Sequence, residues 1–227
     1  MTAAALANKS QETEAPRPDI DPHPLSPYVA WAGNRNKDPI LAALKTLLPE
    51  KGDVLELATG AGLHINYFAP HFPRLQFQPS DYDADVFESI KAKRAEAGNG
   101  NVLDPIRIDL TDATTFPDPA TKRYDAIFVV NIFQVAPVAI NEGIAQLGQK
   151  VLKDDGLIAI YGPFKRDGGY TTASNAAFDK EILAANVPEW GLKDIRDLEA
   201  AAAPHGIKLR EILELPANNF ILLFKKA

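Results

Sequence analysis

Between Val54 and His64 the chain reads VLELATGAGLH, an apolar run that holds one acid, Glu56, and is then broken by Gly60 and Gly62. Glycine at such places permits backbone angles and close approaches that a side chain blocks. A helix that begins just after the turn offers unpaired N–H groups to a carboxylate or a phosphate. The ligand is not read as a dinucleotide, because the G-x-G-x-x-G fingerprint needs a third glycine where Ile65 stands. Asp81 follows LQFQ at 75–78, which reads as a strand, and lies 25 residues beyond Glu56. A carboxylate at the end of a strand there accepts two hydrogen bonds from a ribose diol. Its plainer reading is a helix cap, a task that suits Asp83 better. Asp109 and Asn131 close two further apolar stretches.

These side chains act together only if one edge of a sheet collects them. The stretches 54–57, 75–78, 106–109, 124–130 and 156–161 are short and apolar, and helical patterns alternate with them. That alternation predicts a doubly wound parallel sheet, whose carboxyl edge is where open α/β folds bind ligands. A first helix is expected from Asp38 as cap, with Pro39 in its first turn and Ile40, Leu41, Leu44, Leu47 and Leu48 on one face. Further helices are expected at 84–97, stopped by Gly98, and at 137–151 and 195–204. The strands 207–215 and 220–226 are joined by only Pro216 to Asn219. A link that short makes them antiparallel, since a parallel crossover needs a dozen or more residues. The predicted fold class is therefore α/β: a Rossmann-like, doubly wound, mostly parallel seven-stranded sheet ending in an antiparallel hairpin. Residues 1–27 are rich in Ala, Pro and charge and are expected to be a disordered tail. Residues 28–227 are expected to form one domain.

Composition removes other chemistries. With no cysteine, disulfides, thiolate zinc sites and cysteine nucleophiles are excluded. None of the four histidines has a helical metal-ligand spacing to another, so no metal is expected. A net charge of −6 and the lack of a Lys/Arg cluster with interleaved aromatics argue against a nucleic-acid partner. No apolar run approaches bilayer length and the start MTAAALANKS has no secretory core, so no membrane partner is expected and the expected location is the cytoplasm.

An acid inside the strand followed by the glycine turn resembles the first motif of class I S-adenosylmethionine-dependent methyltransferases, acidic-x-Gly-x-Gly-x-Gly, with Ala58 in place of the first glycine. The resemblance implies that Glu56, Ala58, Gly60 and Gly62 hold S-adenosylmethionine and that Asp81 takes its ribose. It implies Asp109 at the adenine edge, Leu110 beside the ring, and Asn131 nearest the transferring methyl as the catalytic position. A narrower resemblance covers residues 32 to 226. Arg35 to Ile40, Gln78 to Asp81, Tyr161 to Pro163, Ser174-Asn175 with Phe178-Asp179, Pro188 to Leu192 and Pro216 to Asn219 resemble the methyltransferase-like protein 26 family. Where relatives carry Asn-x-x-His-x-x-Pro, this chain reads Asn131-Ile-Phe-Gln134-Val-Ala-Pro137, and a glutamine cannot be a general base.

The implied reaction is transfer of the methyl group to an O, N or S atom of a small molecule by proximity and orientation, with S-adenosylhomocysteine as product. Arg35 is assigned the methionine carboxylate, against the plain reading of a surface arginine. His64 is read either at the cofactor's amino-acid end or as a solvated helix residue. Tyr28 and Trp31 are read as a lid over the acceptor or as simple packing. Gln134, Tyr161, Phe164, Trp190 and Asn218 are the remaining expected acceptor contacts, with Asn219 beside them and Glu189 as a candidate base. Asn218 and Asn219 also read as ordinary turn residues. Two other functions stay open: S-adenosylmethionine binding with a different chemistry, prompted by Gln134, and a non-catalytic binding role.

Overall fold

The structure is a computed structural model in which residues 16–227 are described. Helix α1 spans Pro27–Leu47, strand β1 Gly52–Leu57, α2 Leu63–Phe68, β2 Leu75–Asp81, α3 Phe87–Ala97, β3 Ile106–Arg107 and β4 Tyr124–Val130. Then come α4 Ile140–Val151, β5 Leu152–Gly162, the small hairpin β6 Lys165–Arg166 and β7 Gly169–Tyr170, α5 Ala173–Leu183, α6 Ile195–Ala202, β8 Ile207–Leu215 and β9 Asn219–Lys226.

The sheet runs β3-β2-β1-β4-β5-β9-β8. Its first five strands are parallel, while β9 is antiparallel to both β5 and β8. Seven strands, mostly parallel, with an antiparallel pair at the end, are the architecture expected from the sequence. The apolar runs are continuous because both faces are covered, and successive residues alternate between two cores. On β4, Ala126 and Phe128 join Ile40, Leu44, Ile65 and Phe68 of α1 and α2. Ile127 and Val129 join Ile144, Leu147 and Leu198 of α4 and α6 on the other face. No helix among the described residues is long and apolar enough to cross a membrane.

The first helix departs from expectation. Ser26 caps it, its Oγ accepting the Val29 N–H at 3.1 Å, and Pro27 fills the first turn. Asp38 and Pro39 therefore lie inside the helix, and Asp38 instead accepts the Tyr67 hydroxyl at 2.5 Å. The sequence holds two acid-or-serine–proline starts, and packing selects the earlier one. Gly33 lies against α2, where a Cβ would meet both Leu63 methyls at 3.2 Å. The helix then runs on through Pro39 despite its missing N–H. Helix α5 and the β6–β7 hairpin were not anticipated. Of the expected tail, residues 1–15 lie outside the described residues. In residues 16–26, Arg17 pairs with Glu181 of α5 at 2.6 Å, and the Ser26 hydroxyl donates to the Asp21 carbonyl at 2.7 Å.

Candidate active site

The turn after β1 is shaped by its backbone. Ala58 (φ 50°), Gly60 (φ 55°) and Gly62 (φ 82°) all adopt the left-handed region. At Ala58 this costs a non-glycine residue about 1–2 kcal/mol, the strain a glycine would not carry. The turn is fixed to β2, since the Thr59 N–H donates to the Ser80 carbonyl at 2.9 Å. The Asp81 carboxylate accepts the Gly60 N–H at 2.9 Å and the Asp83 N–H at 3.1 Å. Asp81 is only 3% exposed. Burial pushes its pKa up, and the backbone N–H groups oppose that shift. Asp83 is the cap of the next turn, as expected, through the Asp85 N–H.

Beneath this turn Glu56 is buried, and its Oε2 has no hydrogen-bond partner among the described residues. Burial first, and then the Asp81 carboxylate, hold its carboxyl well above the usual range. His64, in the first turn of α2, meets Asn36 Oδ1 through Nε2 at 2.7 Å. Burial lowers its pKa to about 4, so the imidazole is neutral near pH 7. Asp109 accepts both the N–H and the hydroxyl of Thr111 on Oδ1, at 2.9 and 2.7 Å.

At the end of β4, Asn131 is again left-handed (φ 57°). Its N–H donates to the Tyr161 carbonyl of β5 at 2.9 Å, and its carbonyl accepts Gln134 Nε2 at 3.0 Å. Gln134 is thus a brace for the Asn131 backbone. The Gln134 carbonyl in turn accepts the Gly191 N–H at 2.9 Å, which seats Trp190 beside it. A buried carboxylate organises this side. Asp179, fully buried on α5, accepts the Leu192 N–H at 2.6 Å and the Tyr170 hydroxyl at 2.7 Å, and pairs with Lys165 at 2.9 Å. Despite burial, these partners hold its pKa below the usual value.

One cavity of about 1610 Å³ joins the two ends. Of the residues expected at the site, Ala58, Gly60, His64, Asp81, Asp109 and Leu110 line it on the β1–β3 side. Asn131, Gln134, Tyr161 and Trp190 line it on the β4–β5 side, with Tyr28, Trp31 and Arg35 contributed by α1. On α1 the Tyr28 and Trp31 rings stack at 6.0 Å, and the Arg35 guanidinium sits 5.0 Å from the Trp31 ring centre.

Five expected residues do not line the cavity. Glu56 lies below it. Gly62 serves helix packing, since a Cβ there would come within 3.0 Å of the Ile90 Cα. Phe164 is 1% exposed in the core, against Phe133 at 5.9 Å; β5 runs on to Gly162 and turns its next apolar residue inward. Asn218 offers only its carbonyl, to Asn175 Nδ2 at 3.2 Å, while Asn219 reaches the lining. The candidate base Glu189 lies outside the lining and accepts the Val138 N–H on Oε2 at 2.9 Å. The structure adds Asn36, Tyr82, Asn175 and Phe178, together with residues 20–26. Tyr82 was legible as the neighbour of Asp81; α5 gave no periodic signal.

Solved structures share this fold. A methyltransferase of calicheamicin biosynthesis, CalO1, in its S-adenosylhomocysteine-bound form superposes with a TM-score of 0.73 at 16% identity, over 88% of this chain and 56% of that one. The mitomycin 7-O-methyltransferase MmcR gives 0.70 at 14%, over 88% and 56%. An O-methyltransferase family protein from Burkholderia thailandensis gives 0.69 at 15%, over 88% and 60%. The chain thus spans little more than half the length of these structures, and the likeness is one of fold. A family model takes in residues 27–226, from the first residue of α1 to the last of β9. With every helix and strand of the sheet inside that match, the chain belongs to the family described as Protein of unknown function (DUF938).

Proposed function

We propose that this protein is a methyltransferase-like protein 26 relative that binds S-adenosylmethionine at the carboxyl edge of β1–β3. It moves the methyl group to an O, N or S atom of a small molecule held at the ends of β4 and β5. The observation that carries the reading is the pinned Asp81 carboxylate beside the left-handed Gly60 turn, in a cavity shared with Asn131. The volume of about 1610 Å³ exceeds the roughly 300–1,000 Å³ usual for one ligand, which favours two ligands side by side. The methyltransferase fold of the structures above supports the same reading.

The residues fit the cofactor. Each Asp81 oxygen keeps a lone pair for a ribose hydroxyl after its backbone bond. Leu110 and the exposed Tyr82 would hold the planar base, and Asp109 would meet its edge. The Gly60 backbone, neutral His64 and Arg35 serve the amino-acid end. When bound, the cofactor supplies an electrophilic methyl on a good leaving group. The chain's work is then to orient the acceptor and exclude water. Asn131, braced by Gln134 and Tyr161, fixes the backbone where the acceptor approaches. Gln134 holds structure there rather than moving a proton, so the missing histidine leaves this role intact. The proposed location is the cytoplasm.

Calorimetry with S-adenosylhomocysteine tests the reading. Binding is expected, and Asp81→Ala should weaken it by about 1–3 kcal/mol through lost charged hydrogen bonds. A titration without heat or competition at any concentration removes the cofactor from the proposal.

A further inference from the structure

The β4–β5 half of the cavity has walls and donors of one kind. Tyr161, Phe178 and Trp190 line it, and none of the three rings meets another aromatic ring among the described residues. Phe178 and Trp190, half-buried there without an aromatic partner, are a ready surface for a planar ligand, while the Tyr161 ring packs in the core with Ala159 and Ile221. Tyr161 is 4% exposed, yet its hydroxyl has no hydrogen-bond partner among the described residues. The side-chain amide of Asn131, next to it across β4 and β5, is likewise unpartnered among them.

The charged groups on this side are already committed. Glu181 pairs with Arg17 at 2.6 Å. Asp179 spends its oxygens on Lys165, Tyr170 and the Leu192 N–H. Tyr28 lies near the Arg17–Glu181 pair, and burial raises its pKa. Burial pushes the Tyr161 hydroxyl up to about 12, so it is a proton donor in a hydrogen bond near pH 7. Across the cavity His64 is neutral and bound to Asn36. The half thus presents the Tyr161 hydroxyl and the Asn131 amide beside the Phe178 and Trp190 rings.

Building on the proposed methyl transfer, we infer that the acceptor is a planar aromatic compound whose oxygen or sulfur arrives already ionised, with the Tyr161 hydroxyl donating to that anion. The acceptor's lone pair forms the new bond to the methyl carbon, and the old carbon–sulfur bond breaks with its electrons left on sulfur. The negative charge of the acceptor and the positive charge of the sulfonium vanish together. The proton was lost to water before binding, so the protein removes none. Charge cancellation of this kind is favoured in a site of low dielectric.

The test uses the full chain loaded with sinefungin, whose protonated amine stands where the sulfonium charge would be, and 4-nitrophenol as a coloured probe. The phenolate absorbance of the bound probe should appear at a pH where free 4-nitrophenol is still mostly protonated. Its methyl ether, 4-nitroanisole, should bind more weakly. Tyr161→Phe should weaken phenolate binding by about tenfold and leave the affinities for S-adenosylhomocysteine and 4-nitroanisole unchanged. 4-Nitrothiophenol in parallel distinguishes a sulfur acceptor from an oxygen one. Bound probe that stays protonated, or equal binding by Tyr161→Phe, overturns the inference. S-adenosylhomocysteine binding without binding of either probe overturns the inference alone. Loss of S-adenosylhomocysteine binding overturns the proposed function, and the inference with it.

Discussion

The two halves of the cavity are built in different ways. On the β1–β3 side, the groups that line the cavity follow their strands within a few residues. Their geometry is set by backbone: three left-handed residues in the β1 turn, and a carboxylate held by two N–H groups. On the β4–β5 side, Asn131, Gln134 and Tyr161 are joined by residues of α5, by Trp190 and by the β8–β9 turn, far apart in sequence. One buried carboxylate, Asp179 of α5, ties that helix and the Leu192 backbone to the β6–β7 hairpin. A local turn holds its shape through its own strand pairing. A composite wall holds it through a few long-range bonds, and is therefore the half that sequence change can remodel without touching the other.

The largest effect that separates the halves should come from Asp179→Ala. It strands Lys165, the Tyr170 hydroxyl and the Leu192 N–H, and breaking a buried pair costs about 3–5 kcal/mol. The 27% exposure of the Lys165 side chain places the loss near the lower end, readable by urea unfolding. S-adenosylhomocysteine affinity of the folded fraction should stay within about twofold. A loss of cofactor affinity in proportion to stability would show that the halves are one unit.

His64 gives the next effect. Its folded pKa of about 4 lies below the ordinary 6.5, so the folded state resists protonation of the imidazole. The contribution is full above about pH 6.5. It falls by up to about 1.4 kcal/mol per unit as the pH drops through the window between 6.5 and 4. His64→Gln should flatten that part of the stability–pH curve, since glutamine does not titrate. An unchanged slope would mean that the imidazole is as well solvated in the folded state as in the unfolded one.

The smallest effect tests strain in the β1 turn. Ala58→Gly relieves about 1–2 kcal/mol of left-handed strain and gives back about 0.4–1 kcal/mol in unfolded-chain entropy. A net gain of about 0.5 kcal/mol is expected in the urea midpoint. A loss would show that the Ala58 methyl, packed against the core on the α4 face, is worth more than the strain.

The same division governs what could be read early. The mostly apolar runs of 54–57 and 124–130 identified the central strands, because a strand covered on both faces is apolar at nearly all of its positions. The short link at 216–219 fixed the hairpin as antiparallel. Gly60 and Asp81 were legible because turn residues and strand-end acids act within a few positions of their own strand. Helix α5 was not legible. The side chains it buries are Asn175, Asp179 and Ile182, so its inward face is largely polar and leaves no apolar period to detect.

By itself, the sequence determined the parallel sheet, its antiparallel end and the glycine–acid edge, since each depends on local periodicity or on one tight turn. Only the tertiary structure decided where α1 begins, because Ser26–Pro27 and Asp38–Pro39 are equivalent signals until Gly33 meets Leu63. It also decided that Phe164 is core and Gln134 a brace, and that Asp179 holds the far wall. Those roles depend on which groups meet across long stretches of chain, and a buried polar group takes its meaning from its partner.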